Sequence, residues 1–189
     1  MSVRFSKKVM VAVVGFAAVA IGTLAVPAAA SASTTGTATL TGGSLAFVVP
    51  ATVGFAATLN GTNQNIATAQ PLDVQDNTGT GAGWNVTLTT TTWTAGALTL
   101  ANTSTSDLSA AGACDASVTC TLATNTPLTY PVAIPAATTA PTAIKIQTSA
   151  LNSGLGNQTW THSMQLAIPA NAKAGAYTST WTYSLVSAP

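Results

Sequence analysis

Apolar residues follow two different patterns along this chain. From Val9 to Val26 they run almost unbroken; from residue 33 onward they come in short bursts that alternate with polar positions. The first run follows Arg4, Lys7 and Lys8 and leads through Pro27 into Ala28, Ala29, Ala30, Ser31 and Ala32. A basic start, an apolar helix-forming stretch and a small-residue Ala-Ser-Ala end make a secretory signal, residues 1–32, with cleavage after Ala32. The stretch is also long enough for a transmembrane anchor, but the small-residue site with no basic cluster behind it favours cleavage.

The alternating part, residues 33–189, predicts strands joined by turns. Thr37–Thr41 and Ser44–Val49 are strand candidates around Gly42-Gly43, and Pro50 stops the second. Thr52–Leu59 runs into Asn60-Gly61, a hairpin signal. Gln64–Ala69 and Pro71–Val74 lead into a glycine-rich loop, Asp76 to Gly83. The clearest strand is Trp84–Thr94, where Trp84, Val86 and Leu88 alternate with Asn85, Thr87 and Thr89. Ala97–Ala101 continues the sheet, and 102–127 reads as an irregular insertion. Leu128–Ile134, Ala143–Thr148, Trp160–Ile168 and Ala176–Val186 complete the series, with at most one helical turn at Ala170–Ala174. About nine to eleven short strands with no amphipathic helix for a crossover predict an all-β chain, a single antiparallel β-sandwich of immunoglobulin-like or jelly-roll-like type.

Composition sharpens this picture. Beyond residue 32 the only charged side chains are Lys145 and Lys173 against Asp73, Asp76, Asp107 and Asp115, a net charge of −2, and glutamate is absent. Solubility must therefore come from hydroxyls and amides. Nucleic acid and acidic membrane surfaces, held largely by Lys and Arg, are excluded as partners of the mature domain. Cys114 and Cys120 are the only cysteines. In an exported chain they predict a short-loop disulfide; as metal ligands they lack companions, with His162 the single histidine.

Candidate chemistry is sparse. A Ser-His-Asp triad would have to be built on His162, which sits in an alternating strand with no nucleophile-elbow sequence near any serine. Asp73 and Asp76 are the only close carboxylates, as a glycosidase pair or a calcium loop would need. Their spacing departs from the EF-hand pattern, and an Asx-stabilised turn explains them as well. No catalytic residue, metal or cofactor is assigned. Trp84, Trp93, Trp160 and Trp181 each fall in a predicted strand, where a ring either fills the core or stacks on a ligand.

Two segments carry a resemblance. Val74 to Val86, with Asp76, Asn77, the alternating glycines and Gly83-Trp84, is similar to the first tryptophan motif of the WxL domain family of bacterial cell-surface proteins. Ala174 to Pro189, with Gly175, Tyr177-Thr178 and Trp181-Thr182, is similar to the second. Gly43-Ser44-Leu45, Pro50 and Phe55 extend the resemblance over most of residues 36–189. Asn77-Thr78 stands where that family has Arg-Gly, and neither tryptophan is followed by a literal x-Leu. The resemblance implies non-covalent attachment to peptidoglycan at the cell wall, with Trp84, Trp181, Tyr177, Asp76 and Asn77 as ligand-binding residues and other surface proteins as further partners. The alternative is a pilin-like or matrix subunit that assembles through its edge strands.

Overall fold

The computed structural model describes residues 33–187; the predicted signal segment and its cleavage site lie outside them. Residues 33–38 carry no regular structure, and every strand lies in the unit Thr39–Pro189. Among the described residues there is no helix, hence none long and apolar enough to cross a membrane.

Among the described residues eleven strands form three sheets. They are β1 (Leu45–Val48), β2 (Gln64–Asp76), β3 (Trp84–Thr91), β4 (Thr94–Ala95), β5 (Leu98–Thr99), β6 (Thr105–Cys114), β7 (Val132–Ala133), β8 (Ala136–Ala137), β9 (Ile144–Ser149), β10 (Gly156–Ile168) and β11 (Trp181–Ser187). The larger sheet has the order β1-β2-β10-β6-β7. In the second, β3 pairs with β11 on one edge and with β9 and β8 on the other. A small β4-β5 hairpin stands apart. All pairings are antiparallel except β3 with β8.

Period-two alternation decides which side chains go inside. Along β10 the even positions Gln158, Trp160, His162, Met164 and Leu166 are buried, and along β2 so are Gln70, Leu72, Val74 and Asp76. Both belong to the larger sheet. Trp84, Val86, Leu88 and Ile146 of the second sheet join Leu72, Val74, Trp160 and Met164 in one apolar cluster. Trp93, Leu100 and Leu166 form a smaller one, with Phe55, Tyr177 and Trp181 packed against it.

Several expected elements differ. Gln64–Ala69 and Pro71–Val74 are one strand, because Pro71 lies beyond the end of β1 on a stretch with an open edge, where a residue without an N–H is tolerated. The expected insertion at 102–127 instead contains β6, paired along β10. Its run of Ser, Ala and Gly has little strand propensity, so tertiary pairing makes the strand. Gly112 belongs to that arrangement, since a Cβ there would lie 2.4 Å from the Trp160 ring. Thr37–Thr41 and Thr52–Leu59 form no strand, although Gly61 takes the expected left-handed turn with φ 78°. Cys114 and Cys120 form the disulfide expected of them, joining the end of β6 to the following loop.

Candidate functional site

The residues expected to bind ligand divide into two groups. Antiparallel register sets Trp84 opposite Ser187 and Trp181 opposite Thr90, so the two tryptophans mark opposite ends of the β3–β11 ladder. Six residues of extended strand separate those ends by about 20 Å.

At the first end everything is closed. Trp84 has no exposed surface, and its indole N–H donates to the Gly154 carbonyl at 3.0 Å. It is a core residue and offers no face to a ligand, contrary to the expectation from its motif. Gly154, with φ 74°, leaves room where a Cβ would lie 2.2 Å from Ser149 Oγ and 2.6 Å from the indole nitrogen. Asp76 is buried too, and its Oδ1 accepts from the Thr78 amide at 3.1 Å and the Thr78 hydroxyl at 2.6 Å. Asn77 is exposed and uses its backbone to hold the chain before β1, exchanging hydrogen bonds with Gly43 and Ser44. Asp73 and Asp76, three apart on one strand, leave opposite faces of the sheet, so their carboxylates do not converge. Asp73 instead accepts from Gln75 at 2.9 Å. No cluster of three metal-ligating side chains occurs among the described residues.

The second end is open and aromatic. Trp181 contacts Trp93 (ring centroids 6.2 Å), Phe55 (6.3 Å) and Tyr183 (6.3 Å), and Phe55 meets Trp93 edge-on at 5.8 Å. Two clefts flank these rings. One, of about 550 Å³, lies among Phe55, Leu59, Leu100, Leu166, Ile168 and Lys173. The other, of about 560 Å³, lies among Thr52, Val53, Gln70, Ser179, Trp181 and Tyr183. Trp93 and Tyr177 line both. Lys173 is the only charged lining residue of the first cleft, and the second has none.

Hydrogen bonding distinguishes the rings. Trp93 Nε1 donates to Thr105 Oγ1 at 3.0 Å, and the Tyr177 hydroxyl donates to the Lys173 carbonyl at 2.9 Å. Trp181 Nε1 is a buried donor with no partner, and the Tyr183 hydroxyl, buried with Gln70 beside it, donates to no acceptor among the described residues. Each orphan donor costs about 1–3 kcal/mol. Tyr183 is also pushed well above the usual phenol range, first by burial and then by the nearby Asp107 charge, partly offset by Gln70.

Over the rings runs the segment Pro50–Leu59. From Pro50 to Ala57 none of its backbone groups hydrogen-bonds another described residue, and only Val53 and Phe55 are partly buried. A fully buried Phe is worth roughly 1.5–3 kcal/mol, so two half-buried side chains hold this segment weakly.

Comparison with known proteins finds no matching family model, no matching curated protein and no matching solved structure.

His162 lies between the sheets with no exposed surface. Its Nδ1 is 2.6 Å from Asp107 Oδ2 on β6, and its Nε2 is 3.1 Å from Gln147 Oε1 on β9. The ring thus has an oxygen facing each nitrogen, a carboxyl at Nδ1 and an amide at Nε2. Burial pushes the Asp107 carboxyl above the usual carboxylate range, partly offset by its hydrogen bond to His162. No hydroxyl or thiol hydrogen-bonds the ring, so the geometry is an internal polar bridge between sheets.

Of the residues expected to bind ligand, Tyr177 and Trp181 line the aromatic clefts, together with Phe55, Trp93, Tyr183 and Gln70, of which the sequence singled out Trp93 alone as a core or stacking ring. Tyr183 was legible from its spacing of two from Trp181, which puts both on one face of β11. Phe55 gave no such signal, because the strand expected around it does not form.

Proposed function

We propose that this is an exported β-sandwich protein, its two larger sheets face to face, that binds the glycan of the bacterial cell wall without covalent attachment. Export is read from the N-terminal signal pattern, and the Cys114–Cys120 disulfide accords with an oxidising compartment. The observation that carries the binding is the pair of unpartnered donors, Trp181 Nε1 and the Tyr183 hydroxyl, beside a cleft with no charged lining residue. Aromatic faces stack on sugar rings, buried donors meet their oxygens, and Thr52, Thr178, Ser179 and Thr180 supply a hydroxyl rim. A neutral polyhydroxylated polymer matches that chemistry better than an ionic ligand. The WxL-like endings around Trp84 and Trp181 point to the same class of ligand. We assign no catalytic step to the His162–Asp107 pair.

Co-sedimentation with insoluble peptidoglycan sacculi tests this reading. Saturable pelleting of the wild type, reduced at least tenfold in affinity in a folded Trp181→Ala variant, is the expected result. Pelleting no greater than that of an unrelated β-sandwich removes the proposal. A second reading, a structural subunit assembling by strand addition, draws on the outer edge of β11, which pairs with β3 alone among the described strands. Growth of the particle with protein concentration in light scattering, without glycan, would favour it.

A further inference from the structure

We propose that Pro50–Leu59 is a displaceable strap, and that Phe55 holds the place a sugar ring of the glycan takes when the strap lifts. This rests on the glycan-binding reading and adds its gate. Trp181 Nε1 is a buried donor, and Phe55 of the strap packs against the Trp181 ring at 6.3 Å, so lifting the strap would bare that ring to a ligand. The strap can move because, among the described residues, it hangs on the Val53 and Phe55 side chains and on one hydrogen bond near its end, from Gln64 Nε2 to the Thr58 carbonyl at 3.1 Å. Gly54, between those side chains, faces open space, with no atom within 4 Å of where a Cβ would be.

Position identifies what the strap imitates. Phe55 touches Trp93 edge-on and lies tilted over Trp181 at 36°, the placement of a flat ring against an aromatic wall. With it withdrawn, the two clefts, which already share Trp93 and Tyr177, become one groove across the aromatic floor. A groove with Lys173 as its one charge, a row of rings and two buried donors fits the sugar rings of an extended glycan strand. Closed and open states then compete, and the affinity measured is the intrinsic one scaled by the open fraction.

The test compares wild type and Phe55→Ala in sacculus co-sedimentation, with thermal melting to confirm folding. If the open state is populated at about a tenth, removing the ring lowers the half-saturating concentration about tenfold. A folded variant that binds no better than a binding wild type overturns the strap and leaves the glycan reading standing. Pelleting by neither protein overturns both. Limited chymotrypsin digestion supplies a measurement on the unaltered chain. Soluble glycan strands released from sacculi should speed cleavage of the Phe55–Ala56 bond several-fold, and protection or an unchanged rate overturns the proposal even where Phe55→Ala does not fold.

Discussion

Trp84 and Trp181 sit about 20 Å apart by strand geometry on paired strands, and they solve opposite problems. The Trp84 end is finished: the ring is buried, its N–H is bonded to Gly154, and glycines make the space it needs. The Trp181 end is unfinished: the ring is half-buried, its N–H has no partner, and a loosely held segment lies across it. One tryptophan completes a core, whereas the other keeps a buried N–H with no partner. The lesson is that similar local motifs are separated by the hydrogen-bond partner of the indole, which no spacing rule reports.

The strongest way to break this contrast is Trp84→Ala. It should destabilise the fold by about 3–5 kcal/mol, as large-to-small changes in a sealed core do, seen in the urea midpoint. Gly154→Ala follows. The added methyl collides with Ser149 and the indole, at a positive φ, and should lower stability by about 1–3 kcal/mol. At the other end, Trp181→Phe should shift the midpoint by less than about 1 kcal/mol, because it deletes an orphan donor and keeps a ring. The same change should weaken sacculus binding about tenfold, the worth of one hydrogen bond to a ligand. Equal losses of stability at the two tryptophans would dissolve the distinction.

Alkaline titration gives the smallest and most diagnostic effect. Tyr130, whose hydroxyl donates to the Ile146 carbonyl at 2.6 Å, is pushed up to about 12 by burial, and Tyr183 is raised further. A raised phenol favours the neutral form in the folded state. Its stabilisation is therefore complete below pH 10 and is lost as pH climbs through 10 toward 12. Urea midpoints at pH 9 and pH 11 should fall in the wild type and fall less in Tyr130→Phe and Tyr183→Phe. An unchanged slope in both variants would place neither phenol in a desolvated site.

How much could be read from the chain alone followed from how local each signal is. Alternation in Trp84–Leu88 and Trp181–Leu185 is contained within each strand, and both strands form there, although β3 ends at Thr91, short of the expected Thr94, and β11 begins at Trp181, after the expected Ala176. β6 could not be read, since Ser, Ala and Gly become a strand only through pairing with β10 on one side and β7 on the other. Thr52–Leu59 failed for the opposite reason: its alternation is real, but Phe55 finds Trp93 and Trp181, and no strand partner lines up beside it. The site was half legible. Aromatic type marked Trp181 and Tyr177, while the orphaned atoms and the covering segment exist only once distant parts of the chain meet.

The thirteen-residue ladder between β2 and β10 carries a kinetic consequence. Residues 64–76 must wait for residues 156–168, so the central pairing of the larger sheet forms only after most of the polypeptide is available. Folds dominated by such distant contacts assemble slowly, over milliseconds to seconds rather than microseconds. A chain of this topology stays threadable while it is being made, then closes late and all at once. That delay leaves the edge of β2 that faces β10 unpaired until its partner arrives.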